Sequence, residues 1–262
     1  MNYLSIIYDY QFQKMSKHTL QPNSFELECS SVWSFPNRWK WATHKSSYRG
    51  NRSPEVVRNL VLRYSKKWDV LLDPMVWWGT TAIECKLLNR NLIVCDINPE
   101  SLKKTEECLN FEFHSDSHIT LKLNDTRNLS FIEDEKIDFI LTHPPYADII
   151  KYSWGKIPED LSNIHNLDAF CDEIETIAKE YYRVLKKGKY CAILIGDTRR
   201  NKLYQPLAFK VMERFLKVGF LLKEDIIKIQ HHCKATWFRV KKSQEYNFLL
   251  IMHEHLFIFQ KE

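Results

Sequence analysis

The stretch Ile137–Tyr146 has the sequence IDFILTHPPY, in which an apolar run stops abruptly at two prolines. The first half predicts a buried strand of a parallel sheet, because its apolar residues follow one another without alternation. Pro144 and Pro145 end that strand, since proline has no N–H to donate and its φ angle is fixed. The residues that follow the strand therefore lie at the edge where open α/β sheets bind their ligands.

The end of this stretch has groups suited to hold a planar amino group. His143 and the carbonyl of Pro144 can accept its hydrogen bonds, and the ring of Tyr146 can stack on the aromatic system that carries it. The alternative interpretation is an ordinary turn with a buried tyrosine. The sequence upstream of the stretch favours the functional interpretation.

Length and composition predict one globular domain. The 262 residues are 44% hydrophobic with only six glycines, and the net charge of +5 permits a polyanionic partner without requiring one. No stretch has the length of a membrane span, and the first residues lack the order of a secretory signal, so we expect a cytoplasmic protein without a membrane partner. The seven cysteines are scattered, and the adjacent residues His231, His232 and Cys233 cannot all face one ion. Neither a disulfide framework nor a metal site is expected.

Two strand–helix units precede the central stretch. The apolar run Asp69–Asp73 is followed by a turn that ends in Gly79-Thr80-Thr81 and then by a helix. Such a turn presents the free N–H groups of a helix N-terminus to a bound anion. The second strand ends at Asp96, close to the spacing of about 20 residues at which a carboxylate meets ribose hydroxyls. A third strand, Ile119–Leu123, leads to Asp125, whose carboxylate could accept a hydrogen bond from the amine of an adenine ring.

Basic and aromatic residues are interleaved between residues 33 and 67. They are Arg38, Lys40, Lys45, Arg49, Arg52, Arg58, Arg63, Lys66 and Lys67, with Trp33, Trp39, Trp41 and Tyr48. Basic groups contact phosphates and rings stack on bases, so we favour a nucleic-acid surface over a solvated face whose tryptophans belong to the core. A second surface of this type spans His231–Lys242, together with Arg199 and Arg200.

The remaining periodicity completes an alternating α/β pattern. It predicts helices over Leu167–Leu185 and Pro206–Val218, and strands over Tyr190–Ile195, Ile226–Ile229 and Phe248–Phe259. Residues 186–189 are predicted as a turn, and the segment from His231 to Lys242 as a loop.

In this order the motifs resemble those of the S-adenosylmethionine-dependent DNA amino-methyltransferases, which methylate cytosine N4 or adenine N6. The resemblance runs from about Tyr48 to the end of the chain and implies S-adenosylmethionine as the cofactor. It implies that the first strand and its turn hold the methionine part, Asp96 the ribose and Asp125 the adenine. The full set of cofactor-binding residues that it implies is Ser53, Pro54, Asp73, Pro74, Gly79, Thr80, Thr81, Asp96, Ile97, Asp125 and Thr142. The catalytic motif that it implies is His143, Pro144, Pro145 and Tyr146.

The resemblance also implies the fold and the partners. The expected fold is an α/β, Rossmann-like class I methyltransferase with a mainly parallel seven-stranded sheet and an antiparallel last strand. We predict a methyltransferase domain over residues 46–262, preceded by an extension over residues 1–45 as a candidate DNA contact. DNA is the expected substrate, and a cognate restriction endonuclease is a candidate partner.

Trp77 departs from the pattern of the family, which has glycine at this position of the turn. Glycine allows backbone to approach a ligand, whereas a tryptophan ring crowds the methionine site unless it points away. Two interpretations stay open: an active enzyme with a rearranged pocket, and a DNA-binding pseudo-methyltransferase.

His143 is the second departure, because the family has Asp, Asn or Ser there. A neutral imidazole accepts a hydrogen bond from an amino group, whereas an imidazolium only donates, so activity is expected to fall below its pKa. In this family serine is associated with cytosine N4, and the competent form of His143 is likewise uncharged. Cytosine N4 is therefore favoured over adenine N6. An RNA or protein-glutamine methyltransferase is the further alternative.

Overall fold

The computed structural model describes residues 19–45, 51–232 and 236–262. Tyr48, Arg49, Cys233, Lys234 and the first 18 residues lie outside these ranges. The described strands are β1 (Val32–Trp33), β2 (Val70–Asp73), β3 (Asn91–Asp96), β4 (Ile119–Leu123), β5 (Ile137–Thr142), β6 (Leu185–Ile195), β7 (Thr198–Arg200), β8 (Leu203–Gln205), β9 (Leu221–Ile229) and β10 (His253–Gln260). The described α-helices are α1 (Pro54–Tyr64), α2 (Thr80–Leu88), α3 (Pro99–Leu109), α4 (Leu167–Val184), α5 (Leu207–Val218) and α6 (Thr236–Glu245).

Eight strands form one sheet in the order β1-β9-β10-β6-β5-β2-β3-β4. β10 is antiparallel to both β6 and β9, and the other neighbouring pairs are parallel. The predicted Rossmann-like fold with an antiparallel last strand is confirmed. It has one addition, since the two-residue β1 pairs with β9 and extends the sheet beyond the seven expected strands.

The central strands are buried on both faces, so their side chains alternate between two core layers. Leu71, Phe139 and Leu141 pack with residues of α1 and α2. Leu72 and Ile140 point to the other face and pack with residues of α4 and α5. The uninterrupted apolar run of β5 follows from this arrangement.

Asparagine side chains start two of the helices. The side chain of Asn98 accepts a hydrogen bond from the N–H of Glu100 at 3.0 Å and begins α3. The side chain of Asn166 accepts from the N–H groups of Asp168 and Ala169 and begins α4. These bonds satisfy amide groups that have no partner inside the helix.

The C-terminal half differs from the sequence prediction in several boundaries. Residues 186–189 belong to β6 rather than to a turn, because Leu185 already pairs with Ile137 of β5 and the register shifts before Tyr190. β9 begins at Leu221 rather than Ile226, since pairing with β10 recruits exposed residues that carry no apolar signal. β10 begins at His253 rather than Phe248. The hairpin β7–β8 was not predicted, and α6 replaces a predicted loop.

The N-terminal interpretation is wrong for four of its basic and aromatic residues. Trp33 and Trp41 are each 1% exposed, which is the alternative in which they belong to the core. Arg52 and Arg58 are also buried, and Arg58 lies 3.2 Å from the Glu84 carboxylate, to which Trp41 also donates. Such side chains have no free surface for phosphates or bases. The boundary between an extension and a domain at residue 45 stays a prediction.

No helix within the described ranges combines the length and the apolar character of a membrane span. Cys85, Cys95, Cys108 and Cys191 are buried as free thiols.

Candidate active site

The sheet has a topological switch point between β2 and β5. β3 and β4 lie on one side of β2 and β5 lies on the other, so the chain reverses direction across the sheet there. Ligands of open α/β sheets bind outside the carboxyl ends of the strands at such a point. Asp73 ends β2, Asp96 ends β3, Asp125 follows β4 and His143 follows β5. The structure therefore brings the four predicted polar residues to one edge.

An open cleft lies at this edge, with about 690 Å³ of space that is continuous with solvent. Six of the predicted site residues line it, namely Pro74, Asp96, Ile97, Asp125, His143 and Pro145. The other nine predicted residues are not part of its lining. They are Ser53, Pro54, Asp73, Gly79, Thr80, Thr81, Thr142, Pro144 and Tyr146.

Asp96 is a buried carboxylate at the wall of the cleft. Its Oδ1 accepts a hydrogen bond from the N–H of Asn98 at 2.8 Å, and its Oδ2 accepts one from the N–H of Trp77 at 3.2 Å. Burial raises the pKa of Asp96 to about 6, although these two amide hydrogen bonds act in the opposite direction. The carboxylate is thus desolvated and suited to accept further hydrogen bonds from hydroxyl groups.

Asp125 lies at the far end of the cleft and is held by an arginine. Both of its carboxylate oxygens accept from the Arg127 guanidinium, which also contacts Glu173 at 3.0 Å. The side chains of Asn124 and Thr126 flank it in the lining. This fixed, polar end of the cleft matches the donors and acceptors on the edge of an adenine ring.

Buried polar atoms without partners occur on Arg52 and at the starts of α1 and α2, on residues outside the lining of the cleft. The Arg52 guanidinium donates to the Asp73 carboxylate at 2.5 Å through Nη2. Arg52 Nη1, Ser53 Oγ and Thr81 Oγ1 are buried, and none of the three has a hydrogen-bond partner among the described residues. Buried polar atoms in native proteins are nearly always paired, so this group fits the charged amino-acid end of S-adenosylmethionine.

The turn between β2 and α2 brings the backbone close to its neighbours. Gly79 has a φ of +70°, and a Cβ there would lie 3.1 Å from the Cα of Thr105. Only glycine fits this position without displacement. Thr80 donates through its hydroxyl to the side chain of Asn51 at 2.7 Å, which ties the turn to the segment before α1.

Trp77 forms part of the wall of the cleft rather than filling it. Its φ is +55°, a left-handed conformation that is uncommon for a residue other than glycine. Its ring meets the ring of Tyr152 edge to face, with the centroids 4.2 Å apart. Both rings belong to the lining of the cleft.

His143 begins a chain of hydrogen bonds that crosses to the last strand. His143 Nε2 lies 2.8 Å from Tyr146 Oη, and Tyr146 donates to Glu254 Oε1 at 2.6 Å. Lys228 donates to the other oxygen of Glu254 at 2.9 Å. Burial lowers the pKa of His143 to about 3, and the positive charges of Arg52 and Lys228 act in the same direction. His143 is therefore a neutral imidazole at physiological pH.

Tyr146 is held from two sides. Its ring packs so closely on Gly196 that a Cβ there would lie 2.6 Å from the ring. Its hydroxyl is occupied by His143 and Glu254. The stacking of this ring on a target base stays a prediction. Thr142 and Pro144 are buried on either side of His143 and fix its backbone.

Sequence reasoning missed Arg52, Lys228 and Glu254 as parts of this site. Arg52 was assigned to a DNA surface, and nothing in the residues around Glu254 separates it from other acids on strands. Tyr146 and Glu254 are 108 positions apart, so only the sheet order brings them together.

A second polar cluster lies beside the site, at the beginning of β10. Ligand atoms of Asp197, His253 and His255 lie within 4.8 Å of one another. Asp197 already accepts hydrogen bonds from the Tyr204 hydroxyl and the Ala208 amide. The expectation that the protein holds no metal stays a prediction.

Comparison with known proteins shows to which family the chain belongs. Residues 1–107 and 137–262 match the model of the N6/N4 methyltransferase family, described as DNA methylase. The chain belongs to this family. The predicted membership among S-adenosylmethionine-dependent methyltransferases is thereby confirmed, together with the cofactor.

Curated relatives of this chain include type II methyltransferases and tRNA methyltransferases. Type II methyltransferase M.HpaI of Haemophilus parainfluenzae is 32% identical over 85 residues, which cover 32% of this chain and 27% of that protein. A tRNA (guanine(10)-N2)-dimethyltransferase of Methanothermobacter thermautotrophicus is 33% identical over 101 residues, which cover 38% of this chain and 29% of that protein. The methylase spans about a third of the length of the curated relatives it matches.

A solved structure supports the fold of the methylase. An S-adenosylmethionine-dependent methyltransferase of Methanosarcina mazei superposes with a TM-score of 0.51 at 14% identity. The alignment covers 77% of the methylase and 96% of that chain. At this identity the likeness shows the fold alone.

Proposed function

We propose that this methylase transfers a methyl group from S-adenosylmethionine to the exocyclic amino group of a base in DNA, with cytosine N4 favoured over adenine N6. The observation that carries the proposal is the position of His143. A neutral imidazole, rigidly held before two prolines, lines the same cleft as Asp96 and Asp125. It supplies a hydrogen-bond acceptor where the cofactor cleft meets the Pro-Pro-Tyr motif.

In this proposal, different residues at the edge of the sheet bind different parts of the cofactor. Asp125 binds the adenine and Asp96 accepts hydrogen bonds from the ribose hydroxyls. Arg52, Ser53 and Thr81 supply their unpaired buried atoms to the methionine end. S-adenosylmethionine contributes a methyl group on a positively charged sulfur, which makes the methyl carbon an acceptor of electron density.

The catalytic motif has the task of orientation. His143 and the carbonyl of Pro144 accept hydrogen bonds from the amino group of the base, which directs the nitrogen lone pair. Pro144 and Pro145 keep these acceptors in place because their φ angles are fixed. A base within a duplex has to leave the stack to reach the cleft, as in other enzymes that modify bases. No covalent intermediate with the protein is required.

The choice of cytosine N4 rests on the charge of His143. Burial keeps the imidazole neutral, so it resembles the serine found in cytosine-N4 enzymes rather than the aspartate of most adenine-N6 enzymes. A neutral imidazole can accept a hydrogen bond from the cytosine amino group.

A basic surface at the same edge supports DNA as the substrate. α6 follows β9, and the hairpin β7–β8 follows β6, so both lie beyond the carboxyl ends of parallel strands. Arg239, Lys241 and Lys242 on α6 are exposed, and Trp237 is 82% exposed. Exposed cations with exposed rings suit phosphates and unstacked bases.

RNA is the second candidate substrate, because two curated relatives are tRNA (guanine(10)-N2)-dimethyltransferases. Their name specifies N2 of guanine, which is also an exocyclic nitrogen. The acceptor chemistry of His143 therefore suits either nucleic acid. A cognate restriction endonuclease stays a prediction that depends on DNA being the substrate.

The deciding experiment is mass spectrometry of nucleosides after incubation with isotopically labelled S-adenosylmethionine. Unmethylated DNA and unmodified tRNA are supplied in separate reactions. Labelled N4-methylcytosine in DNA is the expected product, and it should disappear in His143→Ala but persist in the matched variant His118→Ala, whose side chain is exposed. Labelled N6-methyladenine would correct the target base, and label in tRNA alone would replace DNA by RNA. Cofactor binding without any labelled nucleoside would refute the proposal.

A further inference from the structure

Each hydrogen bond in the chain from Lys228 through Glu254 and Tyr146 to His143 has a defined donor and acceptor. Glu254 is 7% exposed, and Lys228 lies directly opposite it in the β9–β10 ladder. Burial acts to raise the pKa of Glu254, but the charge of Lys228 and the hydrogen bonds of Lys228 and Tyr146 lower it below its usual value. The carboxylate is therefore ionised and can only accept hydrogen bonds.

The proton of the Tyr146 hydroxyl is consequently directed to Glu254. The contact between the two oxygens is 2.6 Å, which is typical of an O–H donor to a carboxylate. Burial and the nearby Glu254 charge raise the pKa of Tyr146 well above its usual value, so the hydroxyl keeps its proton. Tyr146 has only this one proton to donate. Towards His143 its oxygen can only accept.

His143 Nε2 must then carry a proton, since it lies 2.8 Å from that accepting oxygen. A neutral imidazole has one N–H, so Nδ1 has a free lone pair. Within the described ranges Nδ1 has no hydrogen-bond partner. The ring that bears this unused acceptor lines the cleft.

We propose that Glu254, held by Lys228, acts through Tyr146 to fix His143 in the tautomer with a proton on Nε2. Nδ1 is then the atom that accepts a hydrogen bond from the amino group of the base. The inference rests on the proposed function and adds its substrate rule. An amino group of a base donates to Nδ1, whereas a carbonyl oxygen at that position, such as O4 of thymine or O6 of guanine, places two lone pairs against each other. Glu254 and Lys228 are positioning residues that touch neither base nor cofactor.

The substitution Glu254→Gln reverses the relay at nearly constant shape. The amide oxygen of glutamine faces Lys228, and its NH₂ group donates to Tyr146. The tyrosine proton then turns to His143 Nε2, and the imidazole proton moves to Nδ1, which becomes a donor. A donor facing the amino group loses the hydrogen bond and leaves two buried donors opposed, so we expect kcat to fall by about 100-fold with little change in cofactor affinity.

The direct test is the ¹⁵N resonance of the His143 ring nitrogens in the protein without ligands. The expected spectrum shows the proton on Nε2 in the wild type and on Nδ1 in Glu254→Gln. The matched variant Glu224→Gln changes an exposed acid of β9 and should keep the wild-type tautomer and activity. A wild-type proton on Nδ1, or an unchanged tautomer in Glu254→Gln, would overturn the inference.

Activity and binding assays separate this inference from the proposed function. Loss of methyl transfer in Glu254→Gln at wild-type cofactor affinity supports both. The expected tautomers in a protein that methylates neither DNA nor RNA would refute the proposed function alone. Should Glu254→Gln fail to fold, Tyr146→Phe keeps the ring on Gly196 and removes the hydroxyl. It is expected to give a mixture of His143 tautomers, and a single Nε2–H form there would also overturn the relay.

Discussion

The Arg52 guanidinium and the Asp73 carboxylate form an ion pair of 2.5 Å in which both side chains are buried. It joins the segment before α1 to the end of β2. The second nitrogen of the guanidinium, Nη1, has no partner within the described ranges. One arginine thus neutralises a buried acid and keeps a second donor unpaired, which the proposed function assigns to the methionine end of the cofactor.

Replacing this arginine by methionine should damage stability and binding together. Arg52→Met leaves the Asp73 carboxylate buried and unpaired, which costs about 3 kcal/mol of unfolding free energy. Urea denaturation measures this loss, and calorimetric titration should show weaker S-adenosylmethionine binding. Arg63→Met, at an exposed position of α1, is the control and should change both quantities little. A wild-type unfolding free energy in Arg52→Met would show that the pair does not stabilise the fold.

Cofactor affinity should depend on the protonation of Asp96. Burial holds its pKa at about 6, and the Asp73 and Asp160 carboxylates contribute to this value. Ribose hydroxyls donate to the ionised form, so the dissociation constant should rise about tenfold as the pH falls from 7 to 5. In Asp96→Asn the affinity should be lower and its dependence on pH should be nearly flat.

The control for this titration is Asp116→Asn, which alters an exposed carboxylate. It should retain the affinity and the pH dependence of the wild type. An equally steep dependence in Asp96→Asn would assign the titration to another group and would remove Asp96 from the ribose site.

The strand ends were predictable from sequence, whereas the contacts behind them were not. Asp96 ends its strand, and Asp125 and His143 lie within two residues of the ends of theirs. Parallel strands bring their carboxyl ends to one edge. Arg52 and Glu254 reach the site through tertiary pairing with residues 21 and 108 positions away. Local periodicity carries no record of such pairs, which is also why β9 and α6 were delimited poorly.

Trp77 should contribute to cofactor binding rather than obstruct it. Its ring packs on Tyr152 and lines the cleft, so Trp77→Gly removes apolar contact while it relieves a left-handed backbone. We expect binding of S-adenosylmethionine to weaken by about tenfold. Trp78→Gly is the matched control, because Trp78 is not part of the cleft lining. Tighter binding in Trp77→Gly would instead support a pseudo-methyltransferase whose pocket this ring disables.

Acid should destabilise the protein through His143 well before it protonates the ring in the native state. Burial, with Arg52 and Lys228, lowers the pKa to about 3 despite the opposing charge of Glu254. The unfolded chain binds this proton near pH 6.5, so the stability contributed by the neutral ring is present above that pH and is lost as the pH falls towards 3.

The comparison of pH 7 with pH 5 tests this titration. His143→Asn should lose about 1–2 kcal/mol less unfolding free energy over this interval than the wild type does. His118→Asn alters an exposed ring and should behave as the wild type. Because native His143 stays neutral to about pH 4, its protonation should not reduce kcat between pH 7 and pH 5. Removing the Glu254 charge lowers the pKa of His143 further. A fall in kcat between pH 7 and pH 5 that disappears in Glu254→Gln would therefore assign that fall to protonation of His143 and contradict this prediction.

The exposed cations of α6 should carry much of the affinity for DNA. The triple variant Arg239→Gln, Lys241→Gln and Lys242→Gln removes three charges near the carboxyl edge of the sheet. Each lost phosphate contact lowers the dependence of log K on log salt by about 0.9, so the slope should become shallower by roughly two to three units. Fluorescence anisotropy of a labelled duplex at several salt concentrations measures this slope.

The matched control removes three cations from the opposite edge of the sheet. Lys66 and Lys67 were predicted from sequence to belong to a nucleic-acid surface, but they precede β2 and so lie at the edge opposite the cleft. Lys187 lies near the beginning of β6, and all three side chains are exposed. Their glutamine variant has the same net charge as the α6 variant. If long-range attraction alone governed binding, both variants would weaken it equally. A change of slope confined to the α6 variant would locate the phosphate contacts beside the cleft, where a base leaving the duplex reaches His143.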